Sequence, residues 1–159
     1  MTALEVITPQ AYGIKTPMIT HRELAPLRLK DFLPQTDRIE QVDGWEFLEE
    51  VWLGEVYGFT EWLRLREDPQ VLRSVSLDLA DLDQEVADRI LATLQLPLEY
   101  GMEPEEVDQV LGVPAGQVQP VPSRITYEYL AGDRDKYYIS ATIDRLDGLV
   151  YLVVIAKED

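Results

Sequence analysis

Few side chains in this chain stand in an arrangement that could attack, transfer a proton or hold a metal. His21 is the sole histidine, so a Ser–His–Asp arrangement would have to pass through it. It lies in a proline-containing stretch with no G-x-S-x-G elbow, and a surface or capping role is expected. There is no cysteine, which removes thiolate nucleophiles, thiolate metal sites and disulfides. No Walker sequence, no G-x-G-x-x-G and no zinc-ligand spacing occurs. Asp78, Asp81, Asp83 and Glu85 gather at a strand-to-helix junction. Carboxylates of this kind suit hard cations such as Mg²⁺ or Ca²⁺. Their spacing fits no calcium loop, however, and acidic residues at a helix start are explained by capping and by the helix dipole. No catalytic residue, metal site or cofactor is expected, and a non-enzyme is favoured over an enzyme. The alternative is a small-ligand-binding domain or a carboxylate-based hydrolase, with a sheet–helix cleft that uses Asp81 and Glu85.

The stronger functional signal is aromatic. Strand alternation places Trp52, Trp62 and Tyr138 on the faces opposite their apolar neighbours. Aromatic side chains at the centre of a surface patch act as binding anchors. Glu49, Glu50 and Glu55 surround Trp52 in sequence and would give that patch a negative rim. The six residues Trp52, Trp62, Tyr138, Glu49, Glu50 and Glu55 are the expected binding surface.

The charge balance points to the same class of partner. With 14 basic against 30 acidic residues and a net charge of −16, the field repels phosphate backbones and anionic membranes and attracts a basic protein. Neither nucleic acid nor a membrane is an expected partner. Pairing with a second copy through an edge strand is a further reading. Residues 1–10 lack a basic n-region and a sustained apolar h-region, and no stretch approaches the ~18 apolar residues of a membrane span. A cytoplasmic protein is expected.

The elements that must position these residues follow from periodicity. Leu24, Leu27 and Phe32 suit a short helix ended by Pro34, and residues 35–44 read as loop. Three strands are expected at Trp45–Leu53, Val56–Arg66 and Val71–Leu79, with Tyr57, Phe59, Leu63 and Leu65 inward on the second. On the third, Val71, Val75, Leu77 and Leu79 alternate inward, with Arg73 as the one discord. Asp81 is the expected cap of a helix that buries Val86, Ile90, Leu91 and Leu94 and ends near Leu96. Pro104, three early glutamates, a Val107/Val110/Leu111 stripe and Gly112 define a second helix. Residues 115–122 show no element. Three more strands close the chain: Arg124–Leu130, Tyr137–Asp144 and Leu149–Ala156. The last is apolar throughout and so is central or covered on both faces. Asp147-Gly148 is the turn before it.

The 159 residues make one domain, and an internal echo suggests a diverged tandem repeat of 1–80 and 81–159. Pro26…Leu29…Phe32 lies near Pro104…Val107…Leu111 at an offset of about 78–79, and Val71 and Val75 fall on Val150 and Val154. The expected fold is α+β: an antiparallel sheet of about six strands from two helix-plus-three-strand meanders, with helices on one face. Tyr100-Gly101-Met102, then Val107, Leu111-Gly112 and Pro114, followed by three strands, resembles the repeat of the β-lactamase-inhibitor-protein-like fold. The SmpA/BamE-type assembly lipoproteins share that plan. The resemblance covers residues 81–156, and it implies a non-catalytic binding role. The lipidated cysteine of the lipoproteins and the disulfides of the inhibitor have no counterpart here. The expected function is a non-catalytic protein-binding domain, an inhibitor or a toxin-neutralising immunity-type protein, that acts through an open acidic and aromatic sheet face.

Overall fold

The computed structural model describes residues 19–33, 39–44, 47–54, 57–131 and 136–157. Its centre is one antiparallel sheet of eight strands: β1 (Ile39–Asp43), β2 (Phe47–Gly54), β3 (Gly58–Leu65), β4 (Leu72–Asp78), β5 (Gly116–Val121), β6 (Arg124–Ala131), β7 (Lys136–Asp144) and β8 (Gly148–Lys157). They lie in the order β1-β2-β3-β4-β8-β7-β6-β5. The six-strand expectation is thus corrected to eight, because residues 39–43 and 116–121 are strands where loop was expected. Both are edge strands with little apolar content, Ile-Glu-Gln-Val-Asp and Gly-Gln-Val-Gln-Pro-Val. Pairing with β2 and β6 makes them strands. Pro120 also removes one N–H donor from the β5 edge.

The helical part is smaller than a full covering layer, which corrects the expected helix face. Among the described residues it comprises the one-turn α1 (His21–Leu24), a 3₁₀ turn at Leu29–Phe32, α2 (Gln84–Thr93) and α3 (Pro104–Leu111). Helix α3 starts at Pro104 as expected, with Glu106 Oε1 accepting the Glu103 N–H at 3.0 Å, and it stops at Gly112, φ 91°. Helix α2 starts later than expected. The Leu82 N–H donates to the Asp78 carbonyl, so the turn runs on. Asp83, not Asp81, accepts the Val86 N–H at 3.2 Å as the cap.

The strand order is palindromic, each half running helical segment, helical segment, four strands. At the seam β4 pairs with β8 antiparallel, and Val75 stands directly opposite Val154. These two residues correspond at the offset read from the sequence. A two-fold axis through the pair would give this arrangement. One continuous apolar core draws on both halves, including Trp62, Leu77, Val86, Val107, Ile139 and Leu152.

The inner face of β3 is inverted relative to expectation. Thr60, Trp62 and Arg64 are the buried set, and Phe59, Leu63 and Leu65 are only half-buried. A one-residue change of face turns every side chain over, and here the largest apolar group decides it. The polar members are tolerated because each has carbonyl partners. Thr60 Oγ1 donates to the Ser76 carbonyl at 2.6 Å, and the Arg64 guanidinium donates to the carbonyls of Ala25 and Leu27. Burial, and the nearby Arg28 cation second, lower the Arg64 pKa. The discordant Arg73 also resolves. The register shifts there so that Arg64 faces Leu72 while Leu63 faces Ser74, leaving Arg73 as the extra residue of a bulge. In the second half the expected inward set of β7, Tyr137, Ile139, Ala141 and Ile143, is buried, and β8 is central between β4 and β7.

Candidate functional site

Side chains directly opposite across an antiparallel pair share a face, so the registers define the outer face of the sheet row by row. One row runs Val42, Glu49, Leu63, Ser74, Ile155, Tyr138, Leu130 and crosses β1, β2, β3, β4, β8, β7 and β6. Val42 is 44% exposed, and Ile155, Tyr138 and Leu130 are each 39% exposed. The next row runs Val51, Glu61, Ser76, Val153, Ser140, Glu128, and a third carries Asp78, Tyr151, Thr142 and Thr126. The face therefore has two parts. Across β8, β7 and β6 it offers Ile155, Tyr138 and Leu130; across β2, β3 and β4 it offers Glu49, Glu61 and Asp78.

The acidic part is electrostatically tense. Glu61 has its carboxyl pKa raised, by burial first and by the charge and hydrogen bond of Glu49 second. Burial also raises the Tyr151 hydroxyl, and Glu61 and Asp78 push it the same way. A raised carboxyl means that the folded state holds the proton more tightly than the unfolded chain. That stabilising contribution is present below the ordinary value of 4.5 and is lost as pH rises through the folded value. Glu61→Gln is therefore expected to raise the urea midpoint at pH 7 and to change it little near pH 4. Melts of both proteins across that range check this, and a lower midpoint for the variant at pH 7 would contradict it.

The six expected binding residues do not converge. Trp62 is 1% exposed, and its ring lies 5.5 Å from that of Phe32 at an interplanar angle of 50°. Its expected place on the surface is corrected: it is a core residue. Glu50 lies opposite Trp62 in register, on the packed side, where Oε2 accepts the Leu29 N–H at 3.3 Å. Trp52 stands in β2 opposite Thr60, and its side chain lies outside the described residues, as does Glu55. Glu49 and Tyr138 do share the outer row, four strand intervals or about 19 Å apart. Leu63, Ile155, Leu130 and Glu61 were missed. The sequence signal for Ile155 was present but ambiguous, because an all-apolar strand does not say which alternate set faces out.

The acidic cluster is dispersed among local tasks. Asp83 caps α2, Glu85 pairs with Arg89 one turn on, and Asp78 turns to the outer face. Among the described residues no group of three or more His, Cys, Asp or Glu is placed to hold a metal ion. Asp81 and Glu85 are exposed and do not line the two hollows along α2. Among the described residues no helix is long and apolar enough to cross a membrane. No protein-family model, no curated protein and no solved structure matches the chain.

Proposed function

We propose that this chain is a non-catalytic protein-binding domain that holds a basic partner on the outer face of its sheet. The observation that carries this reading is the cross-strand row of exposed Val42, Ile155, Tyr138 and Leu130, bordered by Glu49, Glu61 and Glu128. Apolar and aromatic groups give such a contact its area, while carboxylates that repel one another before binding gain a cation on binding. The inhibitor or immunity-type version adds three supports: the small size, the net charge of −16, and the resemblance of residues 81–156 to the inhibitor-like repeat. The partner would be a basic protein, and the contact would be salt-dependent at its acidic half.

The test uses capture from the native host's lysate with wild-type protein, Tyr138→Ala and Ile155→Asp, at low and high salt. Both positions are partly exposed, so the variants are expected to melt within a few degrees of wild type. One basic protein retained by wild type at low salt, weakened at high salt and lost by roughly tenfold or more with Ile155→Asp is the expected result. Equal retention by the folded variants would overturn the reading.

A further inference from the structure

Along α2 the surface is indented. Two adjoining hollows of about 580 Å³ and 420 Å³ flank the helix and share Asp88, Leu91 and Glu99. Gln84, Asp88 and Leu91 follow at helical spacing along one wall, Gln95 stands just past the helix end, and the opposite wall comes from Leu79, Ala80, Leu82, residues 96–100 and Met102. The floor is apolar: Leu91, Leu96 and Leu98 are buried beneath it. Tyr100, 47% exposed, and the half-buried Met102 form the rim.

The charges on this groove are of one sign. At the waist where the hollows meet stand two carboxylates, Asp88 from the helix and Glu99 from the facing loop. Neither has a side-chain hydrogen bond or an ion pair among the described residues, and the neighbouring Arg89 is turned to Glu85. The last turn of α2, whose carbonyls carry the negative end of the helix dipole, has no basic residue. A groove whose larger hollow has an apolar lining and whose centre carries negative charge complements an amphiphilic cation.

We infer that the α2 groove binds an alkylammonium group, with the cation between Asp88 and Glu99 and the hydrocarbon along Leu91, Leu96 and Leu98. The inference is independent of the outer sheet face, which lies on other strands, so either can fail alone. Amine and hydrocarbon must act together: the carboxylates select the charge, and the floor contributes the affinity.

The experiment is a two-dimensional NMR titration of the ¹⁵N-labelled full chain with octylammonium, octanol and octanoate. Octylammonium is expected to saturate with shifts centred on Asp88, Leu91, Gln95 and Glu99. Octanol is expected to bind about tenfold or more weakly, and octanoate weaker still. The double variant Asp88→Asn/Glu99→Gln, whose substituted side chains are exposed, should fold normally and bind octylammonium no better than octanol. A short peptide with one lysine between leucines forms a further arm. Binding of that peptide at the same residues identifies a protein side chain as the source of the ammonium; binding of octylammonium alone identifies a free amine. Equal affinity for octanol and octylammonium, shifts confined to the outer sheet face, or undiminished binding by the folded double variant would overturn the inference.

Discussion

Trp62→Ala is expected to cost about 3–5 kcal/mol of stability, the range for emptying a buried tryptophan site. A domain of ordinary stability has about 5–15 kcal/mol in all, so the variant should be partly unfolded at 37 °C or melt far below wild type. The reason is geometric. Trp62 is 1% exposed, contacts Phe32 and sits between Thr60 and Arg64 on the inner face of β3. The conservative variant sharpens the test. The indole Nε1 is buried with no hydrogen-bond partner among the described residues, so Trp62→Phe loses volume but no bond and should cost less than half as much. Urea titrations followed by circular dichroism measure both. A Trp62→Ala protein as stable as wild type would place the side chain outside the core.

Gly58→Ala is the second large effect. Gly58 has φ +82°, where a Cβ is disfavoured, and an added Cβ would lie 2.1 Å from the Asp81 carbonyl oxygen and 2.8 Å from Leu82 Cα. Both are backbone atoms, and the Asp83 N–H donates to the Tyr57 carbonyl at 2.8 Å, which clasps the two segments together. Neither side can retreat without breaking that clasp, and about 3 kcal/mol or more should be lost. Gly116 is the control: a Cβ there meets nothing within 4 Å, so Gly116→Ala should alter stability by about 0.5 kcal/mol or less. Similar urea midpoints for the two variants would refute the close approach of β3 to the 81–83 turn.

The candidate surface was only partly legible in the sequence, and the failures share a cause. Alternation said that Trp62 and Leu63 lie on opposite faces, which is correct, but it could not say which face is inside. Arg64 points the wrong way, since a cation argues for solvent unless carbonyls await it. Those carbonyls belong to Ala25 and Leu27, nearly forty residues earlier. Glu50 misled in the same way, because its acceptor role depends on the distant Leu29 N–H. Tyr138 was placed outward correctly, since Tyr137 and Ile139 beside it are unambiguously apolar and no buried ion complicates β7. The Tyr100-Gly101-Met102 string has a tertiary explanation that its pattern did not reveal. Gly101 donates to the Leu149 carbonyl at 2.9 Å, and the carbonyl oxygen of Gly101 lies 2.4 Å from where a Cβ on Gly148 would be.

By itself the sequence determined what short-range physics decides. Helix α3 begins at a proline and ends at a glycine because those residues permit one backbone conformation each way. The Asp147-Gly148 turn, the alternation of β6 and β7 and the net negative charge need no distant partner either. Tertiary structure alone decided the rest. The polar strands β1 and β5 exist because β2 and β6 offer them hydrogen bonds. The inner face of β3 takes Trp62, and it can hold Arg64 beside it because carbonyls far along the chain accept the guanidinium. The outer row from Val42 to Leu130 is assembled by eight-strand pairing that joins the two halves at Val75 and Val154. Backbone preference acts over a few residues, whereas burial is settled by whichever groups the completed fold brings opposite.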